Sequence, residues 1–355
     1  MRYIPKLIIF FLFFCNVLFS QQLPLFSEYN YNGHLLNPGM TGWEGINAVS
    51  LGYRHQWTSI NTAPRTTNLA YIHHEDSMNM SFGGYFVNDQ TGPTSFSGLT
   101  LNYAYHFPFK AEKIEKNFRN RLSVGLSLSG LSYRLSGIDL KYPDLDDPLI
   151  IKNNQTQFLP DAGMGIFYVN DLYYFGLSMP QIISMKVKFD DDLALSSIRR
   201  VAHFYVQAGA KIRLHDPNNV KWKQMQFIVP TLWVKFAPTS PMNVNFNVRY
   251  LYSDFLAASI GFGSDGSLIM DFMLNIKKNY RFGYAFSTSL NKLSPVLGTT
   301  HEIMLSYIFK SIGKGWFVQK IDPIKLTFKE YKPKEPKKGP AEPVKTPPKP
   351  LRLTP

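Results

Sequence analysis

The chain has 355 residues, of which 15% are aromatic and only 18% are charged. Its length allows two soluble domains or one large β-domain, and its single cysteine excludes a fold held by disulfides or thiolate metal sites. The net charge is +13, but about half of the excess lies in residues 311–355, so the charge does not indicate a nucleic-acid-binding surface.

Residues 1–20 have the pattern of a secretory signal peptide. Two basic residues precede an unbroken run of Leu, Ile and Phe at residues 7–14, and the small Ser20 precedes two glutamines. The apolar run is too short to cross a membrane as a helix. Cys15 would permit a lipoprotein anchor, but the bulky Phe14 before it does not suit that processing. Cleavage near Ser20 is the preferred interpretation.

Residues 21–45 form an irregular N-terminal segment, because asparagine, glycine and proline interrupt any helix or strand period. The segment still contains four aromatic residues, Phe26, Tyr29, Tyr31 and Trp43. We therefore expect it to pack at or in the domain that follows.

Residues 46–310 form a series of aromatic-rich runs in which apolar and polar residues alternate, as in residues 122–129 and 243–250. Such alternation is typical of strands, and no run after the N-terminus is long enough for a spanning helix. The predicted strands are residues 46–57, 66–75, 80–88, 95–107, 117–133, 158–169, 172–179, 200–214, 224–236, 243–253, 255–263, 267–276, 280–287 and 300–310.

Alternation alone fits either a β-sandwich or a membrane barrel. The count of about 14 is even, and the runs are long enough for tilted membrane strands. Short turn signals at residues 170–171, 264–266 and 277–279 alternate with long links at 136–157 and 180–198, which predicts short turns on one rim and long loops on the other. The sequence therefore predicts an all-β fold, a transmembrane antiparallel β-barrel, with both termini in the periplasm.

The last predicted strand, residues 300–310, places Ile303, Leu305, Tyr307 and Phe309 on one face. A final strand that ends in Tyr-x-Phe, with long apolar side chains facing outward, is typical of outer-membrane barrels. Residues 311–331 are interpreted as a periplasmic docking segment. Residues 332–355 are rich in Lys and Pro and predict a disordered, extended periplasmic tail, which either contacts a periplasmic partner or is dispensable.

The candidates for chemistry are weak. His73 and His74 point to opposite faces of a strand and cannot bind one metal ion together. His301-Glu302 resembles half of a zinc-protease motif, but Leu305 stands where the second histidine should be. The runs at residues 144–147 and 190–192 lack the spacing of a calcium loop. With no phosphate loop or nucleophile elbow, we expect no enzyme, metal or cofactor.

Several short motifs resemble the PorP/SprF family of the type IX secretion and gliding-motility apparatus. In chain order they are LNPGMTG at 36–42, YRHQW at 53–57, APRT at 63–66, YAYH at 103–106, PDAGMG at 160–165, YYFGLSMP at 173–180, GYA at 283–285 and HEIMLSY at 301–307. The sequence departs from the family pattern at Phe286-Ser287 and at Thr300.

The resemblance implies a non-enzymatic outer-membrane barrel that supports secretion or surface anchoring of an adhesin or other cargo with a C-terminal sorting domain. It also implies contact with outer-membrane lipid and with a periplasmic secretion-ring or peptidoglycan-binding protein, here through the tail. The alternative function is a small-solute porin or transporter.

The motifs supply the candidate structural and partner-binding residues, which are Asn37, Pro38, Tyr53, Arg54, Trp57, Pro64, Arg65, His301 and Glu302. We expect four of them to form one polar-aromatic cluster that supports the N-terminal segment, with Arg65 donating to backbone carbonyls. The four are Tyr53, Arg54, Trp57 and Arg65. The alternative for Trp57 is a residue of the interfacial aromatic belt.

Overall fold

The computed structural model describes residues 32–75, 77–109, 120–137, 153–170, 172–184, 186–188, 197–199, 201–214, 226–238, 240–252, 255–276, 279–292 and 294–309. The predictions for the signal peptide, for residues 21–31, for the docking segment and for the tail lie outside these residues. So do those for the acidic runs at 144–147 and 190–192.

The described residues are almost entirely β-strand. The strands are β1 (Ala48–His55), β2 (Arg65–Glu75), β3 (Met80–Thr91), β4 (Thr94–Pro108), β5 (Arg121–Leu135), β6 (Gln155–Val169), β7 (Tyr173–Gln181), β8 (Lys186–Lys188), β9 (Ser197–Arg199), β10 (His203–Ala210), β11 (Ile212–Arg213), β12 (Gln226–Ala237), β13 (Ser240–Tyr252), β14 (Leu256–Gly263), β15 (Ser267–Ile276), β16 (Tyr280–Ser289) and β17 (Thr299–Ile308). The helices are two 3₁₀ turns, Gly33–Leu35 and Pro38–Met40, and α1 (Ser294–Leu297). No helix of the described residues is long and apolar enough to cross a membrane.

Fourteen of the strands close into one antiparallel barrel within the described part of the chain. The first strand pairs with the last, from Ala48 opposite Ile308 to His55 opposite His301. The circle is completed where β10 pairs with both β7 and β12. This confirms the predicted all-β transmembrane barrel and each of its fourteen strands.

Two short strands, β8 and β9, were not predicted, and one predicted strand is divided in two. β8 and β9 form a separate two-stranded sheet, and β11 pairs only with β12. The single predicted strand at residues 200–214 is observed as β10 and β11, separated at Lys211, whose backbone N–H donates to the carbonyl of Leu172 at 2.7 Å. This bond extends the pairing of β10 with β7 by one residue beyond Ala210 and Tyr173, whereas β11 pairs with β12 alone.

The barrel is apolar outside and polar inside, the reverse of a water-soluble fold. On β17, Leu305 is 53% exposed and faces outward between Ile303 and Tyr307, whereas Glu302 and Met304 face inward and are 2% and 1% exposed. The same alternation runs through β4 and β5. Long apolar side chains that face outward around a closed wall require a hydrocarbon solvent, because water would penalise that surface.

Replacement of Leu305 by arginine is expected to destabilise the barrel by about 2–4 kcal/mol if the position lies near the bilayer midplane. The cause is the transfer of a charged side chain into hydrocarbon. Urea unfolding in phospholipid vesicles measures the loss. In detergent micelles, where the charge reaches water more easily, the same substitution should cost less; equal costs in both media would argue that Leu305 does not face lipid.

Both ends of the barrel open onto one rim, here called the terminal rim, which carries the start of β1 and the end of β17. At the opposite, distal rim β5 ends and β6 starts, as do β7 and β10, which the sequence joins by the long links 136–154 and 182–202; the tight turns at 92–93 and 264–266 lie at the same rim. The predicted division into a short-turn rim and a long-loop rim is therefore wrong. In a closed antiparallel barrel the order of the strands, not the length of a connection, decides its rim.

Candidate functional site

The inside of the barrel is occupied by residues 32–47, here called the luminal segment. It contacts inward-facing side chains from opposite sides of the wall: Asn32 Nδ2 lies 3.0 Å from Met304 Sδ on β17, and Leu36 packs with Tyr205 and Trp233 on β10 and β12. The second 3₁₀ turn touches β4, β5, β6 and β7. The segment therefore crosses the lumen from one side of the wall to the other.

The tip of the luminal segment is the turn Asn37-Pro38-Gly39. The Asn37 side chain accepts from the backbone N–H of Gly39 at 2.9 Å and caps the turn, and Pro38 stands at the first helical position, where no N–H is needed. Asn37 is 0% exposed, and its Nδ2 donates to the carbonyl of Ile166 on β6 at 3.2 Å. Asn37 thus holds the turn together and fastens it to the wall.

The wall is shaped to receive this turn. A Cβ on Gly125 would lie 2.2 Å from the carbonyl carbon of Pro38, and one on Gly165 would lie 2.0 Å from Asn37 Oδ1. Both glycines face inward, and their missing side chains leave the space that the turn fills. The fit allows the backbones of segment and wall to approach closely.

Polar side chains of the wall bind the backbone carbonyls before the turn. Asn102 Nδ2 donates to the carbonyl of His34 at 3.0 Å. The Tyr85 hydroxyl donates to that of Leu35 at 3.2 Å, and Ser178 Oγ to that of Leu36 at 2.8 Å. These bonds satisfy carbonyls that the short 3₁₀ turn cannot pair internally.

Two arginines hold the segment where it approaches the terminal rim. Arg121 Nη2 donates to the carbonyl of Trp43 and lies 3.4 Å from that of Gly42. On the other side of the lumen, Arg281 Nη2 lies 3.1 Å from Glu44 Oε2. This pair of contacts, here called the latch, clamps residues 42–44 from both sides.

Beneath the latch runs a chain of four buried side chains. His74 Nδ1 and His106 Nε2 each lie 2.7 Å from Ser81 Oγ, and His106 Nδ1 lies 2.7 Å from Ser123 Oγ. Gly42 crosses directly over it with a φ of +67°, and a Cβ there would lie 2.0 Å from Ser81 Oγ. The crossing therefore requires glycine both for its backbone conformation and for space.

The luminal segment and the wall residues that hold it are here called the seat, and not all polar atoms of the seat are hydrogen-bonded to protein. Within the described residues, five buried polar atoms around the segment make no hydrogen bond to another protein atom: His34 Nε2, Thr41 Oγ1, Asn102 Oδ1, Tyr205 OH and Gln207 Oε1. A buried polar atom left without any partner costs about 1–3 kcal/mol relative to its hydrated state.

His34 makes the seating of the segment dependent on pH. Burial lowers its pKa from 6.5 to about 4. Between these values the unseated chain binds a proton that the seated imidazole does not. The contribution of neutral, buried His34 to the free energy of unfolding is thus complete above pH 6.5. It decreases as the pH falls, and below pH 4 the loss is about 3 kcal/mol. We expect His34→Gln to flatten this part of the pH profile of urea unfolding; an unchanged slope would show that other groups cause it.

The sequence-predicted residues fall in different places. Asn37 and Pro38 form the tip of the luminal segment. Arg54 and Glu302, directly opposite each other on β1 and β17, form an ion pair inside the lumen, with Arg54 Nε 3.1 Å from Glu302 Oε1. His301 faces outward, where its imidazole contacts Tyr284 OH at 2.8 Å and Thr299 Oγ1 at 3.0 Å.

The predicted cluster of Tyr53, Arg54, Trp57 and Arg65 does not form as one unit. Arg54 faces the lumen, whereas Tyr53 and Arg65 are exposed on the outer face, because neighbouring residues of a strand point to opposite sides. Arg65 is therefore separated by the wall from the luminal segment and cannot bind its carbonyls. Trp57 lies in the loop between β1 and β2, 36% exposed with a φ of 54°.

The same loop contains Pro64, whose carbonyl accepts from the backbone N–H of Gln56 at 3.0 Å. It is tied to the loop before β17 by the backbone N–H of Thr58, which donates to the carbonyl of Thr299 at 2.9 Å. The loop between β1 and β2 is thus joined to the start of β17 at the distal rim.

The residues that carry the luminal seat were missed. Arg121, Arg281 and Glu44 are separated from their partners by up to 237 positions, and nothing in local spacing pairs them. The one available signal, for the two arginines, was their inward-facing place in the alternation of β5 and β16. Among the described residues, no three His, Cys, Asp or Glu side chains form a group that could hold a metal ion.

These features define a class: a membrane β-barrel whose lumen is filled by its own N-terminal segment. The chain belongs to the PorP/SprF family, described as type IX secretion system membrane protein PorP/SprF, whose model matches residues 18–307. The family expected from the motifs is therefore confirmed. No curated protein matches the sequence.

Solved structures with a similar fold are distant. The toluene transporter TodX of P. putida is 10% identical, with 79% of this chain and 95% of that chain covered and a TM-score of 0.43. The KdgM porin is 11% identical, with 74% and 99% covered and a TM-score of 0.36. The Acinetobacter baumannii outer membrane protein Omp33 is 7% identical, with 74% and 98% covered and a TM-score of 0.40. These similarities do not bear on what this chain binds.

Proposed function

We propose that this protein is a non-enzymatic outer-membrane component of the type IX secretion and gliding-motility machinery. It supports secretion or surface anchoring of a partner adhesin, or other cargo, with a C-terminal sorting domain. One observation carries the proposal: the chain matches a family of secretion-system membrane proteins, and it is a closed barrel whose lumen is already occupied. A barrel of this kind serves as a platform rather than as a channel or a catalyst.

The placement of the two ends supports this role. Because β1 starts and β17 ends at the terminal rim, we assign this rim, and both termini with it, to the periplasm. The basic tail at residues 332–355 then lies on the side of the secretion ring and of the peptidoglycan. The distal rim, with the loop that contains Trp57 and Pro64, faces the cell surface and the cargo.

The alternative of a small-solute porin needs an open lumen. The luminal segment and its carbonyl bonds oppose that function. Purified protein in planar bilayers distinguishes the two, because a platform should show no steady ohmic current, whereas a porin should.

The decisive experiment is made in the native bacterium. Deletion of the gene should abolish surface display of one cargo protein, and the full chain should restore it. A chain that lacks residues 332–355 should still insert into the outer membrane but should fail to capture periplasmic partners in a pull-down. If display is normal without the protein, it has no role in secretion; if capture is equal with and without the tail, the tail is dispensable.

Arg65 tests whether the outer face near the distal rim contributes. It is exposed at the start of β2, where it can reach a partner or a lipid headgroup. We expect Arg65→Ala to reduce surface display without changing barrel stability. Normal display would remove Arg65 from the mechanism.

A further inference from the structure

The luminal segment is built like a gate with a fixed base. Its last residue, Asn47, is anchored at the terminal rim: its side chain accepts from the backbone N–H of His74 at 2.7 Å, and its carbonyl accepts from that of Phe309 at 3.1 Å. Strand β1 starts at the next residue. The base therefore stays with the wall whatever happens to the rest of the segment.

Two hinge positions follow the tip and precede this base. Gly42 and Gly45 both have a φ of +67°, and they bracket Trp43 and Glu44. Glycine absorbs large changes of φ and ψ without strain. Rotation at these two positions would move residues 32–41 as one body while Asn47 remained in place.

The head of the gate is held partly by the apolar packing of Leu36 and Met40 and partly by hydrogen bonds that water can replace. Residues 32–41 form two 3₁₀ turns rather than a strand of the barrel, and wall side chains hold their carbonyls one at a time. The unpaired polar atoms of the seat, such as Tyr205 OH and Gln207 Oε1, would regain hydrogen bonds to water on opening. The hydrogen bonds gained to water thus offset part of the free energy that opening costs.

The latch closes the gate where the lumen meets water. The Arg281 and Glu44 side chains are 5% and 12% exposed, so the ion pair is largely shielded by protein yet lies near the rim. We propose that residues 32–47 are a hinged gate of the lumen, which pivots at Gly42 and Gly45 and is held shut by the Arg281–Glu44 and Arg121 contacts. This goes beyond the platform role, because it gives the barrel a second, open state.

Cysteine labelling tests the gate in the purified protein. Thr41 is 0% exposed in the closed state, and with Cys15 replaced by serine a Thr41→Cys chain carries one thiol. The latch variant Glu44→Gln/Arg281→Gln removes the ion pair of the latch and keeps the Arg121 contact. It should raise the rate at which a water-soluble maleimide labels Cys at position 41 by about tenfold or more. The matched control is Arg54→Gln/Glu302→Gln, which removes a luminal ion pair with the same 3.1 Å separation that joins β1 to β17. This control should change the labelling rate by no more than about twofold relative to the parent.

A disulfide lock supplies the second measurement. A Cβ at Gly83 would lie 2.9 Å from Thr41 Cγ2, close enough for Thr41→Cys/Gly83→Cys to form a disulfide. The latch variant should pass current in planar bilayers, the oxidised lock should abolish that current, and reduction should restore it.

The gate is overturned if the latch variant labels as slowly as its parent, if the control accelerates equally, or if current persists through the oxidised lock. Should the double variant fail to fold, Glu44→Gln alone is measured in the same way. No secretion partner enters the assay, so its failure leaves the proposed function untouched.

Discussion

Replacement of Gly125 by valine is expected to destabilise the protein by on the order of 3–6 kcal/mol. The new Cβ would lie 2.2 Å from the Pro38 carbonyl carbon and 2.3 Å from the Gly39 nitrogen. Both are backbone atoms, which cannot rotate away as the end of a side chain can. The turn must therefore leave its seat or the wall must deform, and in either case the carbonyl bonds to the segment are lost. Urea unfolding in detergent measures the loss.

Gly130→Val is the matched control for this substitution. Gly130 lies on the same strand but faces outward, where a Cβ would meet only the ring of Phe158 at 3.0 Å, and Phe158 is 67% exposed. Valine also favours strands over glycine, so propensity cannot explain a loss at either position. The control should cost at most about 1 kcal/mol. Equal losses at both positions would show that the seat contributes nothing to stability.

Removal of the Glu302 carboxylate is expected to cost about 3–5 kcal/mol. The side chains of Glu302 and Arg54 are 3% and 12% exposed, and they join the first and last strands of the barrel. Glu302→Ala leaves the Arg54 guanidinium charged and shielded from bulk water, which is the expensive outcome. The predicted result is a lower urea midpoint and faster unfolding in detergent.

A double substitution separates this cost from general damage to the seam. Arg54→Met/Glu302→Leu removes both charges and keeps much of the volume, so it should recover most of the loss. Ser306→Ala, which breaks the 2.9 Å bond between Ser306 and Ser50 on the same two strands, should cost only about 1 kcal/mol. A double variant as unstable as Glu302→Ala would mean that the ion pair itself stabilises closure.

The strands and their faces were predictable because local chemistry decides them. On β17, the outward set of Ile303, Leu305 and Tyr307 follows from an alternation of period two, and the observed exposures agree with it. The even number of strands and the position of both ends on one rim follow from the same pattern. The division of turns between rims failed, because it was inferred from loop length, which does not determine on which side a connection lies.

The candidate site was predictable only in part. Asn37 and Pro38 were identified from a motif, and their burial at the tip of the luminal segment is consistent with a structural role. Arg121 was missed because its partners, Gly42 and Trp43, lie 79 and 78 positions earlier in an irregular segment. The expected cluster around Arg65 failed because the alternation that identified the strand also turns Arg65 away from Arg54.

The amino-acid sequence by itself thus determined a membrane barrel, its strand count and the residues that face lipid, because these depend on the short-range alternation that a hydrocarbon solvent requires. Only the tertiary structure decided which contacts hold residues 32–47 in the lumen and which charges meet there. Those contacts join residues that are distant in the chain, and they exist only after the first strand has closed against the last.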